Sequence, residues 1–529
     1  MLRRRSPFSS TRRRFLRPLV LLPLALVIAL AAAVPAALAA SRNGVAITGV
    51  KDGAVVGAAK MAGLTLHVAS DKKQQPTVTM DGKPVQVAPA AKGYDVRPSG
   101  LADGKHVVAV TSKGTFPFGA STVSKSFTVD TVAPTLDIAA PPQAPGLNAA
   151  VTVTGKVEAG ATLTVDGKKV PVTDGAFSMK FDTPPAGAHF VAVDAAGNET
   201  AKDVSVPVRY PSNVRAVHMT SLAWQADALR NPVLDLIKAK KIDAVELDVK
   251  DEEGIVGYDS QVPLAREIKA TQKNYDLKAT TDLLHSMNVR VIGRIVVFRD
   301  AVLAKAAVAS GKRDEVVQQP DGQPYKGYGG FTNIANPVVQ QYNIDLAVEA
   351  RKGGMDDILY DYVRRPDGPI KSMVFPGIQG TPEDQIVKFM TDSRKQLRPI
   401  GAFVGASVFG VAATRPTEVA QDVPRMAQVT DFIAPMLYPS HWAKGEYNVA
   451  NPNSQPYDIV RRSLDDFNKD VKGTDAAVVP WLQDFSLGVN YGPAEVQAQI
   501  KATQDAGING FLLWNAGAKY TGAALTPGQ

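Results

Sequence analysis

Between Val214 and Trp514, eight apolar runs of strand length alternate with amphipathic stretches of helix length, and this alternation limits the fold more than anything else in the chain. The runs are Val214–Met219, Ala244–Val249, Val289–Val297, Ile358–Tyr362, Phe403–Phe409, Phe432–Leu437, Ala477–Leu482 and Gly510–Trp514. Helices are expected between them, among others over Thr280–Met287, Val338–Lys352, Glu383–Leu397 and Ala494–Ala506. Eight β-then-α units in about 300 residues predict a (β/α)8 TIM barrel over 211–529. A doubly wound open sheet is the alternative. No Gly-x-Gly-x-x-Gly follows the first run, so a dinucleotide-binding version has no support.

The segment ahead of the barrel has a different texture. From Asn43 to about Val208, short alternating runs are separated by Asp-Gly pairs at Asp81-Gly82, Asp103-Gly104, Asp166-Gly167 and Asp174-Gly175, which predict hairpins. A break near Asp130 to Pro134 divides it into two small all-β sandwich modules, 41–130 and 131–210. Each has its own expected core, so a barrel starting near Pro211 is expected to fold alone. The run Asp194-Ala195-Ala196-Gly197-Asn198-Glu199-Thr200 resembles the end of bacterial immunoglobulin-like modules, which implies a spacer or a weak carbohydrate-contacting unit; without an aromatic platform a spacer is expected.

Residues 1–40 read as an export leader: a basic start, an apolar run from Leu19 to Val34, then the small-residue site Ala37-Leu38-Ala39. Thr11 to Arg17 resembles the twin-arginine signal, which implies export of a folded protein. An uncleaved membrane anchor is the alternative. The formal charge of +8 falls to +1 without the seven arginines that precede Ser41, which gives nucleic-acid binding no support. With no cysteine, disulfides, thiolate catalysis and zinc-thiolate sites are excluded. The six histidines show no paired ligand spacing, so neither a metal nor a cofactor is expected.

In a barrel, the chemistry sits where the C-terminal strand ends converge. The run Ile358-Leu359 ends in Tyr360-Asp361-Tyr362, with Arg364 and Arg365 beside Asp361 as candidates to hold it ionised and Arg364 or Arg294 expected within hydrogen-bond reach of it. The second run places Glu246, Asp248 and Lys250 on one face by strand alternation. The third contributes Arg294. Later ends contribute Tyr438 and His441, then Trp481, Gln483 and Asp484, then Trp514 and Asn515. Aromatic faces, acids and amides crowded on one rim suit a polyol such as a glycan.

Several longer motifs occur in order: Glu246 to Asp251, Arg294 to Asp300, Tyr360 to Arg364, Val408-Phe409-Gly410, Asp431 to His441, Asn451-Pro452 with Pro456-Tyr457, Pro480 to Phe485, and Leu513-Trp514. On these, the region from Val214 to Asn515 resembles a bacterial family of glycosyl-hydrolase-like domains related to the α-amylase and α-galactosidase groups. The resemblance implies a barrel and a glycosidase, with Asp361 in the place of the fourth-strand nucleophile. Two departures stand out: family members tend to carry Phe where this chain has Arg365, and many carry an acid where it has Ser407.

A two-carboxylate glycosidase is therefore expected, with Asp361 as nucleophile or base and Asp484 or Asp248 as proton donor. A neighbouring aromatic can raise a carboxyl by desolvation, which favours Asp484 beside Trp481. Lys250, Arg294, Tyr360, Arg364, Tyr438, His441, Trp481, Gln483, Trp514 and Asn515 are the expected glycan-binding groups. The partner is a glycan and the protein an exported monomer, secreted or at the cell envelope, with an N-terminal membrane anchor if the leader is not cleaved. The rival is a degenerate barrel that binds carbohydrate or scaffolds the envelope without catalysis, a reading Ser407 favours.

Overall fold

The computed structural model describes residues 45–70, 75–112, 120–211 and 213–527. The expected leader, 1–40, lies outside the described residues. Among those described, no helix is long and apolar enough to cross a membrane.

The C-terminal region is a closed, all-parallel eight-stranded barrel wrapped by helices, a (β/α)8 TIM barrel. Its strands are Arg215–Met219, Ala244–Lys250, Arg290–Val296, Asp357–Asp361, Phe403–Phe409, Phe432–Met436, a seventh in two pieces (Ala477–Val478 and Trp481–Gln483), and Phe511–Trp514. The eighth pairs with the first, Arg215 opposite Phe511, which closes the ring. Pro480, which has no N–H to give, sits at the break in the seventh strand. The expected helices form with their starts displaced by one to three residues. Three of the four open on a proline, at Pro337, Pro382 and Pro493, where the missing N–H costs nothing. Asn336 caps the first of these, and a Thr381/Asp384 capping box starts the second.

Strand alternation divides the barrel's apolar residues into two layers. Val245, Leu247, Val291, Ile295, Ile358 and Val404 face outward and pack with the helices. Ala216, Ala244, Ile292, Leu359, Phe403 and Phe432 fill the lower interior. Gly405 makes room for the Phe432 ring, since a Cβ there would lie 2.3 Å from it. One strand breaks the pattern. A register shift between Asp248 and Lys250 takes Lys250 off the face that carries Glu246 and Asp248.

The N-terminal half holds sheets that are antiparallel except where Ala54–Val56 pairs in parallel with Ser121–Val129 at the edge of one of them. Asp81-Gly82, Asp166-Gly167 and Asp174-Gly175 all adopt positive φ and make tight hairpin turns, as expected. At Asp103-Gly104 only the glycine has positive φ, and Asp103 instead accepts hydrogen bonds from Thr131 N at 2.8 Å and Thr131 Oγ1 at 2.9 Å. Val45 to Val129 enclose a cluster of their own. The apolar residues from Leu136 to Val214 do not, because they run on into the lower barrel interior. Tyr210 is the plug. It stacks on Phe432 at 4.2 Å, meets Phe403 edge-on at 5.2 Å, and donates from its hydroxyl to Asp357 Oδ2 at 2.9 Å. Arg398 donates to Val206 O at 2.8 Å beside it. Separate cores were expected on either side of Pro211, but the barrel floor has no cover of its own and takes one from the neighbouring β-unit.

Candidate active site

The floor of the barrel is apolar, but its upper interior is ionic, and Arg294 is the hub. Parallel pairing sets Asp248 opposite Arg294 on the adjacent strand, and Val296 opposite Asp361 on the next. The Arg294 guanidinium can therefore reach carboxylates on both sides. It donates from Nη1 to Asp248 Oδ1 at 2.7 Å, from Nε and Nη2 to Asp361 Oδ2 at 3.0 and 2.7 Å, and from Nη2 to Glu252 Oε1 at 2.5 Å. Tyr362 turns into positive φ just after the fourth strand, and its N–H donates to Asp361 Oδ1 at 2.7 Å. Because Asp361 Oδ2 and Glu252 Oε1 share one nitrogen, they stand no more than about 5 Å apart, near the 5–5.5 Å of retaining glycosidases.

Below Arg294 lies a second tier. His218 and Glu246 are cross-strand neighbours, hydrogen-bonded through His218 Nδ1 and Glu246 Oε2. Trp514 covers them, stacking on His218 at 4.2 Å and lying 5.1 Å below the Arg294 guanidinium carbon. Burial pulls His218 down to about 4, which makes it neutral at pH 7. Burial also lifts Glu246 well above the carboxylate range. The same cause raises Asp248 to about 7, against the opposing pull of Arg294 and His218. Glu252 behaves differently. Burial would raise it, but Arg294 outweighs that penalty and holds the carboxyl at about 2.

His218, Glu246 and Asp248 can each offer one ligand atom within 4.8 Å of the others, the one such group among the described residues. Histidine spacing did not point to it, because His218 joins Glu246 and Asp248 only across two paired strands. The Arg294 guanidinium, bonded to Asp248 at 2.7 Å and 3.8 Å from Glu246, places a positive charge beside them.

Above this floor opens a cleft of about 380 Å³. Tyr438, His441, Trp442, Trp481 and Trp514 wall one side; Tyr328, Tyr362, Arg364, Asp367 and Phe409 the other. Seven of the expected site residues thus border one cleft: Asp361, Arg294, Arg364, Tyr438, His441, Trp481 and Trp514. Asp248 lies beneath it, screened by Arg294.

The others sit elsewhere. Lys250 is buried away from the cleft, bonded to Asp300 at 2.6 Å and 5.0 Å from the Tyr342 ring, because the register shift turned it outward. Tyr360 also faces outward, its hydroxyl 2.6 Å from Ser393 Oγ. Asp484 turns toward Thr521, accepting from its N and Oγ1 at 2.7 and 2.6 Å. Burial raises its carboxyl, against those bonds. Gln483 and Asn515 brace rim loops, Gln483 through Ser440 N and Phe485 O, Asn515 through the carbonyls of Asp484 and Lys519. Neither flanking arginine pairs with Asp361: Arg364 bonds Asp367, and Arg365 bonds only carbonyls and the Met373 sulfur. Ser407 is buried and its Oγ accepts from Trp481 Nε1 at 3.0 Å.

Sequence reasoning passed over Glu252, Trp442 and Asp367. Glu252 directly follows the Glu246–Asp251 motif and was within reach; Trp442 and Asp367 lie in loops whose course only the fold sets.

Among solved structures, a hypothetical protein from Ruminiclostridium thermocellum ATCC 27405 is similar at 31% identity, over 36% of this chain and 96% of that one, with a TM-score of 0.32. The glycoside hydrolase domain of PgaB (BpsB) from Bordetella bronchiseptica is similar at 14% identity, over 58% and 95%, with a TM-score of 0.43. The glycoside hydrolase domain of PelA from Pseudomonas aeruginosa is similar at 13% identity, over 59% and 97%, with a TM-score of 0.35. No curated protein matches the chain. The family comparison is more direct: residues 216–520 match along their length, and the chain belongs to the family described as "Putative glycosyl hydrolase domain".

Proposed function

We propose that the protein is an exported glycoside hydrolase acting on a polysaccharide or cell-envelope glycan, with Asp361 as nucleophile or base in the cleft. The observation that carries this is the pair Asp361 and Glu252, held no more than about 5 Å apart by one guanidinium nitrogen under aromatic walls. Trp514, Trp481 and Tyr438 border the cleft and give it the apolar wall against which a sugar packs. Glu252 shares the Nη2 donor of Arg294 with Asp361, which neither acid expected from the sequence does. To act as a proton donor it must leave Arg294, whose bond keeps it ionised; a sugar hydroxyl that takes over the Nη2 donor would release it. The leader motifs support placing this activity outside the cytoplasm, and 41–130 and 131–210 are proposed as the β-modules that carry the barrel.

A second reading is a glycan-binding barrel without turnover. Two features favour it: both cleft carboxylates are tied to Arg294, and Ser407, bonded to Trp481, stands where many family members carry an acid. Release of reducing ends from a panel of cell-wall and storage glycans separates the two. Hydrolysis by the wild type, lowered about a hundredfold or more in Asp361→Asn with the fold intact, is the expected result. Binding without any hydrolysis by the wild type would move the second reading ahead.

A further inference from the structure

A cleft of about 380 Å³ is near the lower limit of what holds a small ligand, so a chain of several sugars bound there runs out on at least one side. One way out is built. A second cavity of about 360 Å³ lies between the loops that follow the fourth and fifth strands. Asp367, Phe409 and Val411 border both cavities, which makes them two stretches of one groove. Beyond the shared residues, the second stretch is lined by Arg365 and Gly368 from one loop and by Glu418 and Val419 from the other.

Arg365, itself buried, fixes the spacing of those loops. Across the gap its N–H donates to Val419 O at 3.2 Å and its Nη2 to Thr417 O at 3.1 Å. In its own loop Nη1 donates to Pro366 O and Gly368 O at 2.9 and 2.7 Å. The walls are thus set before any ligand arrives, which spares binding the cost of ordering them. They offer two kinds of contact. Phe409, Val411 and Val419 give an apolar side, and Asp367 and Glu418, with side chains 38% and 60% exposed, are acceptors in reach of solvent. Asp367 is taken up by Arg364 Nη1 and the Tyr328 hydroxyl. Glu418 is freer: among the described residues only Arg415 is within ion-pair distance, at 3.5 Å, and Glu446 holds that arginine more closely, at 3.0 Å. An apolar side facing an open carboxylate matches a pyranose, which has C–H faces and a rim of donating hydroxyls.

We propose that this second cavity is a distal subsite, in which a sugar of a chain leaving the cleft packs on Phe409, Val411 and Val419 and donates a hydroxyl to Glu418. The proposal rests on the glycan-cleft reading above and deepens it. The ligand class is a chain of several sugars rather than a mono- or disaccharide, with one part at Asp361 and Glu252 and another between the two loops.

The test is calorimetry on the full chain carrying Asp361→Asn, which stops turnover, against chito-, cello-, xylo- and malto-oligosaccharides from disaccharide to octasaccharide. In a series that binds, affinity should rise about tenfold or more from the shortest chain bound to the longest, the gain of one further sugar with a hydrogen bond to a charged acceptor. Adding Glu418→Ala should weaken the long chains about threefold or more and leave the short ones unchanged, the latter serving as the control for folding. Glu418→Gln, which keeps an acceptor, should lose less. Equal affinity at all lengths, a gain with length that Glu418→Ala does not reduce, or a loss in that variant equal for short and long chains overturns the distal subsite and leaves the glycan-cleft reading standing. Binding of no oligosaccharide in any series overturns both.

Discussion

Replacing Arg294 with methionine removes the hub on which three carboxylates converge while nearly keeping its volume. Glu252 is held at about 2 against an ordinary 4.5. At about 1.4 kcal/mol for each tenfold change in proton affinity, Arg294 stabilises the fold by about 3 kcal/mol through this one carboxylate. Solvent reaches 28% of the Glu252 side chain, which trims that figure. Asp248 and Asp361 are more buried and lose their guanidinium too, and breaking a buried pair costs about 3–5 kcal/mol. These contributions overlap, so the expected loss at pH 7 is about 3–5 kcal/mol. Its pH dependence is the sharper prediction. A carboxyl depressed in the folded state stabilises fully above its unfolded pKa, and that stabilisation is lost as pH falls through the folded value. The wild-type advantage should thus be complete above about pH 5 and shrink as the pH drops from about 4.5 toward 2. Urea unfolding followed by tryptophan fluorescence suits the measurement, because Trp514 lies against Arg294 and His218. A loss under about 1 kcal/mol at pH 7, or one that stays constant between pH 7 and pH 3, would refute the hub argument.

Two further expectations follow from buried groups. Tyr210→Ala should cost about 3–5 kcal/mol, since it empties the stack between Phe403 and Phe432, whereas Tyr210→Phe loses only the bond to Asp357, about 1 kcal/mol. Thermal unfolding measures both, and a cost under about 1 kcal/mol for the alanine variant would mean that the β-unit and the barrel do not share a core. Asp248, raised by burial to about 7, binds its proton more tightly folded than unfolded, so its contribution is greatest at low pH and is lost as pH rises from about 4 through 7. Asp248→Asn mimics the protonated carboxyl and should gain on the wild type across that window; parallel denaturation midpoints from pH 4 to 8 would count against the shift.

The barrel was legible in the chain because strand and helix periods are local properties. Phe403–Phe409 begins and ends where its apolar run does, and the helices start on prolines that the chain displays openly. Asp361, Arg294 and the aromatics at strand ends were legible for a related reason: a closed parallel barrel sends every C-terminal strand end to one rim, whatever the details. Register and loop course were not legible. A single shift after Asp248 turned Lys250 out of the interior, and no residue type in Asp248-Val249-Lys250 signals it. Asp361 was expected within reach of Arg364 or Arg294, and the barrel decides between them: a side chain on a strand pairs across to the next strand, where it meets the Arg294 guanidinium. Asp484 and Asn515 stand at strand ends as expected, yet loop carbonyls and Thr521 capture them before the cleft can. The same logic hid the seam at Pro211. Local pattern marks where the β-rich texture ends, while the open floor of the barrel, which only closure creates, decides that Tyr210 is buried inside it. The sequence by itself determined the strands, the helices and the rim; the pairing of strands around a closed ring decided which charges meet there.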